Sequence, residues 1–152
     1  MAGDAMIQAA IKTVLRSTSL YVDSEVSLGD ARIMGAGKCA IIYPGPFESF
    51  RAGDWSQVTY LWTHYVDVWR PFAGDDYSSI VSDRQTVLDV IGANPTLNGT
   101  AGVTNVIARV GSGTRYLWPR NASTTAKPSH VGFRIEIQTT EERLYAGSGE
   151  FR

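Results

Sequence analysis

Several residue types and patterns that would direct a functional reading are scarce or missing here. Cys39 is the only cysteine in 152 residues, so no disulfide can form within one chain, and a lone thiol of this kind is expected to sit buried in a strand. His64 and His130 are the only histidines. No apolar run approaches the ~18 residues that cross a bilayer, so no membrane contact is expected. The N-terminus lacks a basic stretch leading into an apolar core, so no secretory leader is expected either. Without such a leader, the glycosylation-type tripeptides Asn98-Gly99-Thr100 and Asn121-Ala122-Ser123 read as turn chemistry. There is no internal repeat and no low-complexity segment. Charged residues make up 19% and hydrophobic ones 43% of the chain, the balance of an ordinary globular protein slightly light in charge. The length fits one domain over residues 1–152, large enough for a sizeable core, with a loose Gly/Ser tail at 146–152.

Acid is also missing locally. From Val90 to Ile135 there is no Asp or Glu, while Arg109, Arg115, Arg120, Lys127 and Arg134 give that stretch +5. Residues 1–89 carry eleven acids against seven Lys or Arg (−4), and the part from Glu136 carries four against two (−2), which leaves the net charge at −1. A basic segment on an otherwise acidic chain fits contact with nucleic acid or with a complementary protein surface. A solvated, mildly basic loop accounts for it equally well.

The most prominent feature present is the alternation from Gln57 to Arg70. Val58, Tyr60, Trp62, His64, Val66 and Val68 fall on one face, and Thr59, Leu61, Thr63, Tyr65, Asp67 and Trp69 on the other. The period is two, so the first set is expected to face the core. The second set is too aromatic for a plain solvated surface. At ~3.3 Å per residue the run spans about 45 Å, well beyond a typical strand of ~17–20 Å. A domain of this size cannot easily cover both faces of such a strand, which points to another molecule on the second face or the far end.

Around this strand the order is legible. Met6, Ile7, Ala10, Ile11, Val14 and Leu15 repeat at helical spacing, predicting a helix over 4–19 with Asp4 at its N-terminus. Tyr21 to Gly37, interrupted by Gly29, Gly35 and Gly37, reads as mostly loop. Lys38 to Tyr43 reads as a strand stopped by Pro44-Gly45-Pro46, with a loop holding Phe47, Phe50 and Trp55 after it. A second helix runs over Tyr77–Ile91 behind Asp75 and Asp76, with Ile80, Val81, Arg84, Val87, Leu88 and Ile91 on one face and Gly92 and Pro95 beyond its end. Val103–Val110 is the next strand, and after Gly111-Ser112-Gly113 the chain resumes extended over Thr114–Trp118. Pro119–Ser129 is a polar loop, and His130–Thr139 returns with Val131, Phe133, Ile135 and Ile137 facing one way, closing a long antiparallel hairpin with a basic tip. The expected fold is α+β: a mostly antiparallel four-stranded sheet with two helices packed on one face and this hairpin near the C-terminus. The other face is then open to solvent, to another subunit or to a channel.

Catalytic and cofactor patterns fail one by one. Gly35-Ala36-Gly37-Lys38 resembles the end of a phosphate-binding loop, but Arg32 stands where that motif needs Gly and Cys39 where it needs Ser or Thr. A strand follows where the motif needs a helix N-terminus to hold phosphate. His64 lies between Trp62 and Val66 on the apolar face, the setting of a buried neutral imidazole. Cys39, His64 and His130 show no zinc-type spacing, and a Cys–His nucleophile pair has nothing further in its favour. Asp75 and Asp76 are accounted for by a helix N-terminus. No catalytic residue, cofactor site or metal site is therefore expected. Tyr116 and Trp118 beside Arg115 and Arg120 would suit a single-strand nucleic-acid platform, but no ribonucleoprotein motif accompanies them. Packing in the hairpin or at a subunit boundary is the preferred reading of the same residues.

This layout resembles the small tail terminator, or tail completion, proteins of long-tailed bacteriophages, which are close in form to some neck and head–tail joining proteins. The likeness runs from the helix Met6–Leu15 through the Lys38–Tyr43 strand with its Pro44-Gly45-Pro46 ending. It continues through the aromatic strand Val58–Trp69, the helix Tyr77–Ile91, and the pair Val103–Trp118 and Val131–Thr139. It covers nearly the whole chain at the level of pattern, without a diagnostic motif. It implies a non-enzymatic ring, commonly a hexamer, that caps the tail tube and joins it to the neck or connector protein around the DNA path. Such a ring is assembled in the host cytoplasm and resides in the virion. Subunit and partner contacts are then expected at Phe47, Phe50 and Trp55, at Leu61, Tyr65 and Trp69, and at Arg115, Tyr116, Trp118 and Arg120. A neck adaptor or minor tail protein is the neighbouring alternative, and a single-stranded nucleic-acid binding module is the alternative of another class.

Overall fold

The apolar spacing at the start of the chain forms α1 (Asp4–Arg16), which buries Ile7, Ile11, Val14 and Leu15 along one stripe, with Asp4 in its first turn and Arg16 in its last. It ends before the expected residue 19, because the Ser17 and Thr18 hydroxyls donate to the carbonyls of Val14 (2.6 Å) and Leu15 (2.8 Å) and occupy its last acceptors. The computed structural model describes residues 3–28, 37–51, 57–71, 77–110, 116–118 and 130–144. The remaining elements are β1 (Val26–Leu28), β2 (Cys39–Arg51), β3 (Gln57–Pro71), α2 (Tyr77–Gly92), β4 (Val103–Val110), β5 (Tyr116–Trp118) and β6 (His130–Leu144). The helix α2 buries Ile80, Val87 and Ile91 on the expected stripe. Arg84, on the same side, lays its guanidinium over the Phe133 ring at 4.6 Å.

The sheet runs β1-β2-β3-β6-β4, with β5 also on β6. Since β3 occupies one side of β6 along its whole length, β4 (opposite residues 135–141) and β5 (opposite 130–132) lie end to end on the other side. The class is α+β as expected, but the sheet is mixed and five strands wide rather than antiparallel and four. The addition is β1, within the stretch expected to be loop, which pairs in parallel with β2 from Val26↔Ala40 to Leu28↔Ile42. Pro44-Gly45-Pro46 does not stop β2. The strand shifts register between Pro44 and Phe47 and continues to Arg51, so Phe47 and Phe50 belong to a strand and not a loop. At the bulge, a side chain on Gly45 would meet the Thr63 carbonyl at 2.8 Å and the Tyr65 ring at 2.9 Å, so glycine lets the two strands stay together there.

At the centre, β3 pairs with β6 from Gln57↔Leu144 to Pro71↔His130 without a shift. The helices cover the face that carries Ala40, Ile42, Val66, Val68, Phe133, Ile135 and Ile137, and these form one core with Ile7, Ile11, Leu15, Ile80 and Ile91. Each fully buried Val, Leu, Ile or Phe among them contributes about 2 kcal/mol relative to exposure. Polar ties also cross from helix to sheet. His64 meets Asp4 of α1 at 2.6 Å, and Arg70 pairs with the buried Asp83 of α2 through both Nε and Nη2. Between α2 and β4 the Asn98-Gly99 turn predicted from sequence is present, with Leu97, Asn98 and Gly99 all at positive φ and Leu97 buried as its anchor.

Candidate assembly surface

The alternation in β3 sorts its side chains as expected at four even positions, where Val58, His64, Val66 and Val68 are buried. Tyr60 and Trp62 are only half-buried and open an aromatic ladder toward the far end of the sheet. Phe47, opposite Trp62 on β2, stacks on it at 4.9 Å, and Tyr60 also stacks on Trp62 at 6.0 Å. Trp62 Nε1 donates to Glu141 at 2.9 Å. Arg143 donates to the same carboxylate from Nε and Nη2 and lies over the Tyr60 ring at 4.5 Å. The ladder is thus held rigid at its base, while Phe47 at its rim remains 55% exposed. Large rigid aromatics with Arg are the residue types that anchor protein interfaces.

The face away from the helices divides in two. Toward residue 71 it is closed: Trp69 is 2% and Asp67 1% exposed, and Ile41 beside them is buried as well. Trp69 therefore does not offer the partner surface expected of it. Its indole lies against Gly132, where a side chain would overlap both the Val68 carbonyl and the ring. Asp67 receives a two-pronged bond from Arg134 across the strands, at 2.8 and 2.9 Å. The same guanidinium sits over Tyr65 at 5.0 Å and Tyr43 at 5.7 Å, so Tyr65 is half-buried beneath a cation.

Toward residue 57 this face is less covered, with Leu61 and Thr63 half-buried and Glu48 exposed. Leu61 and Thr63, with Pro46, Glu48 and Gln138, line a shallow cleft of about 80 Å³. Beyond Gln138, β4 presents Ile107, 50% exposed. Next to it Arg109 reaches Glu136 at 3.7 Å and Gln138 at 3.4 Å. The contribution of β4 was missed from sequence. The signal was its unequal alternation, with Asn105, Ile107 and Arg109 exposed between Val106 and the half-buried Ala108.

Other expected contacts fall partly or wholly outside the described residues. Trp55, Arg115 and Arg120 lie outside them, as do Asp75, Asp76, the Pro119–Ser129 loop and the tail from residue 145. Phe50, Tyr116 and Trp118 are placed by their backbone alone. Tyr116–Trp118 pairs antiparallel with His130–Gly132, as the hairpin requires.

The residues that might have carried chemistry are kept apart. Cys39 pairs with Trp69 on one face of the sheet, whereas His64 points to the other. Burial, with Glu25 nearby, pushes the Cys39 thiol up to about 11, so it is protonated at neutral pH and a poor nucleophile. His64 is fully buried, and desolvation lowers its pKa despite the bond to Asp4. Nε2–H donates to Asp4, and buried Nδ1 has no partner among the described residues. Among those residues no group of three His, Cys, Asp or Glu could hold a metal ion, and no helix is long and apolar enough to cross a membrane. Neither a scan against protein-family models nor a search of curated proteins returns a match to this chain.

Proposed function

We propose that this chain is a structural protein of a tailed-phage virion, forming a ring, most simply a hexamer, that caps the tail tube and joins it to the neck. The observation that carries the reading is the mismatch between sheet and helices. Strands β2, β3 and β6 are 13, 15 and 15 residues long, and both helices pack on the same face. Among the described residues, the half-buried Leu61 and Thr63 on the opposite face, the exposed ladder at Phe47 and the β4 side at Ile107 offer surface to other molecules. Assembly needs such surface and needs no reactive group, which agrees with a His64 and a Cys39 held in unreactive states. On this reading the partners are further copies of the chain, the tail tube protein on one side and the neck or connector protein on the other. The ring surrounds the path of the DNA.

The test is multi-angle light scattering and negative-stain imaging of the purified chain, alone and with tail tube protein. Rings of uniform size, found at the ends of tubes and limiting their length, are expected. A chain that stays monomeric and leaves tube ends bare would remove the proposal. Rings that bind the neck protein but not the tube would move it to a neck adaptor.

A further inference from the structure

We infer that the contact between neighbouring subunits is a continuation of the sheet, in which the outer edge of β4 pairs with the outer edge of β2 of a second copy. The inference rests on the ring-forming reading above and adds the identity of the surfaces that meet.

Among the described residues both edges carry no strand. Within the described residues β1 pairs with β2 as far as Ile42, leaving the edge from Pro44 to Arg51, and β4 is the outermost described strand on its side. The register places the two edges at one height. Reading across the sheet, Ser49 is level with Tyr60, Glu141 and Val103; Glu48 with Leu61, Thr140 and Asn105; and Phe47 with Trp62, Thr139 and Val106. A neighbour rotated about an axis roughly along the strands therefore brings its β2 beside β4 with no vertical slip.

Direction agrees as well. β4 is antiparallel to β6, β6 to β3 and β3 to β2, so β4 meets the next β2 antiparallel and can form an ordinary ladder. In that ladder β4 lies end to end with the neighbour's β1 along one strand, as β4 and β5 already do along β6 within the chain. On the face away from the helices, Ile107 comes beside the neighbour's Pro46, at the rim of the cleft that Pro46 lines. Pro44 and Pro46 have no N–H to give, so the neighbour's donors come from Phe47 onward and the ladder is short. The two edges are different surfaces on opposite sides of one sheet, which makes the contact head-to-tail and able to close into a ring.

The experiment is disulfide trapping in a Cys39→Ala background with Glu48→Cys and Asn105→Cys, both at exposed positions. Within one chain these sites are three strand spacings apart, roughly 14 Å, too far for a disulfide. Mild oxidation should give a ladder of covalent oligomers ending at the ring size for the double variant. A mixture of the two single variants should give dimers only. Rings by light scattering that yield no more cross-linked product than either single variant would overturn the edge pairing and leave the ring standing. A monomer would overturn both. Hydrogen exchange on the unsubstituted chain gives a second readout. Outward-facing amides of Val103–Val110 should be protected in the assembled form and lose protection on dilution to monomer, and equal exchange in both states would also overturn the pairing.

Discussion

The most exacting residue is His64, because only one of its protonation states suits its surroundings. Neutral, it donates from Nε2 to Asp4; charged, it would place a second N–H at a buried Nδ1 with no acceptor among the described residues. Its pKa in the folded chain lies below the ordinary 6.5, so the unfolded state takes the proton first. Stability is then full above pH 6.5 and falls as pH drops through the window beneath it. Thermal melts between about pH 7 and pH 5 should show that fall, and His64→Gln should flatten it. A slope unchanged by the substitution would locate the effect elsewhere. The Arg134–Asp67 pair is uneven in another way, since Asp67 is buried and the Arg134 side chain 32% exposed. Arg134→Ala withdraws two charged bonds from a buried carboxylate and should cost about 3 kcal/mol. Asp67→Asn leaves a guanidinium that can reach water and should cost about 1 kcal/mol. Urea midpoints of the two variants test that order.

At the scale of elements, strands and helices with a clear period were legible, and those that depend on a distant partner were not. The repeats at Ile7–Leu15 and Ile80–Ile91 and the alternation in β3 predict elements that are present because each has a whole face to bury. β1 has only Val26, Ser27 and Leu28, too few to show a period, and it exists because Ala40–Ile42 offers an edge for parallel pairing. Pro44 and Pro46 read as terminators because a strand interior would lose two donors, but past β1 the strand β2 has an outer edge that does not require them. The alternation of β3 also mispredicted Trp69 as partner surface. Its burial depends on Gly132, and that of Asp67 on Arg134; both partners come from β6, more than sixty residues later. Gly132 is thus a seat and not a gap. Gly132→Ala should drive the indole and the Val68 carbonyl apart at a cost of about 1–3 kcal/mol, read as a lowered denaturation midpoint with altered tryptophan fluorescence.

For the molecule as a whole, one face of the sheet is covered by helices and the other is closed only toward residue 71. The layered fold was legible from two amphipathic helices and a shortage of material to cover a second face; the height and direction of the edges came only from the register. If subunits meet through those edges, Phe47→Glu should weaken assembly in light scattering while leaving the thermal midpoint within about 1 kcal/mol of stability equivalent, since Phe47 is exposed in the single chain. Loss of fold together with assembly would instead make the aromatic ladder part of the monomer's own stability. The central place of β3 has a consequence for how the chain is made. Its first neighbour, β2, precedes it, but its second, β6, leaves the ribosome only after α2, β4 and β5. Until then Val66 and Val68 belong to a half-built sheet with a long open margin, the kind of intermediate that favours wrong association. Synthesis therefore delivers the strand that completes the centre well after the strand it completes, and a nascent chain stalled before His130 is the form most in need of a chaperone.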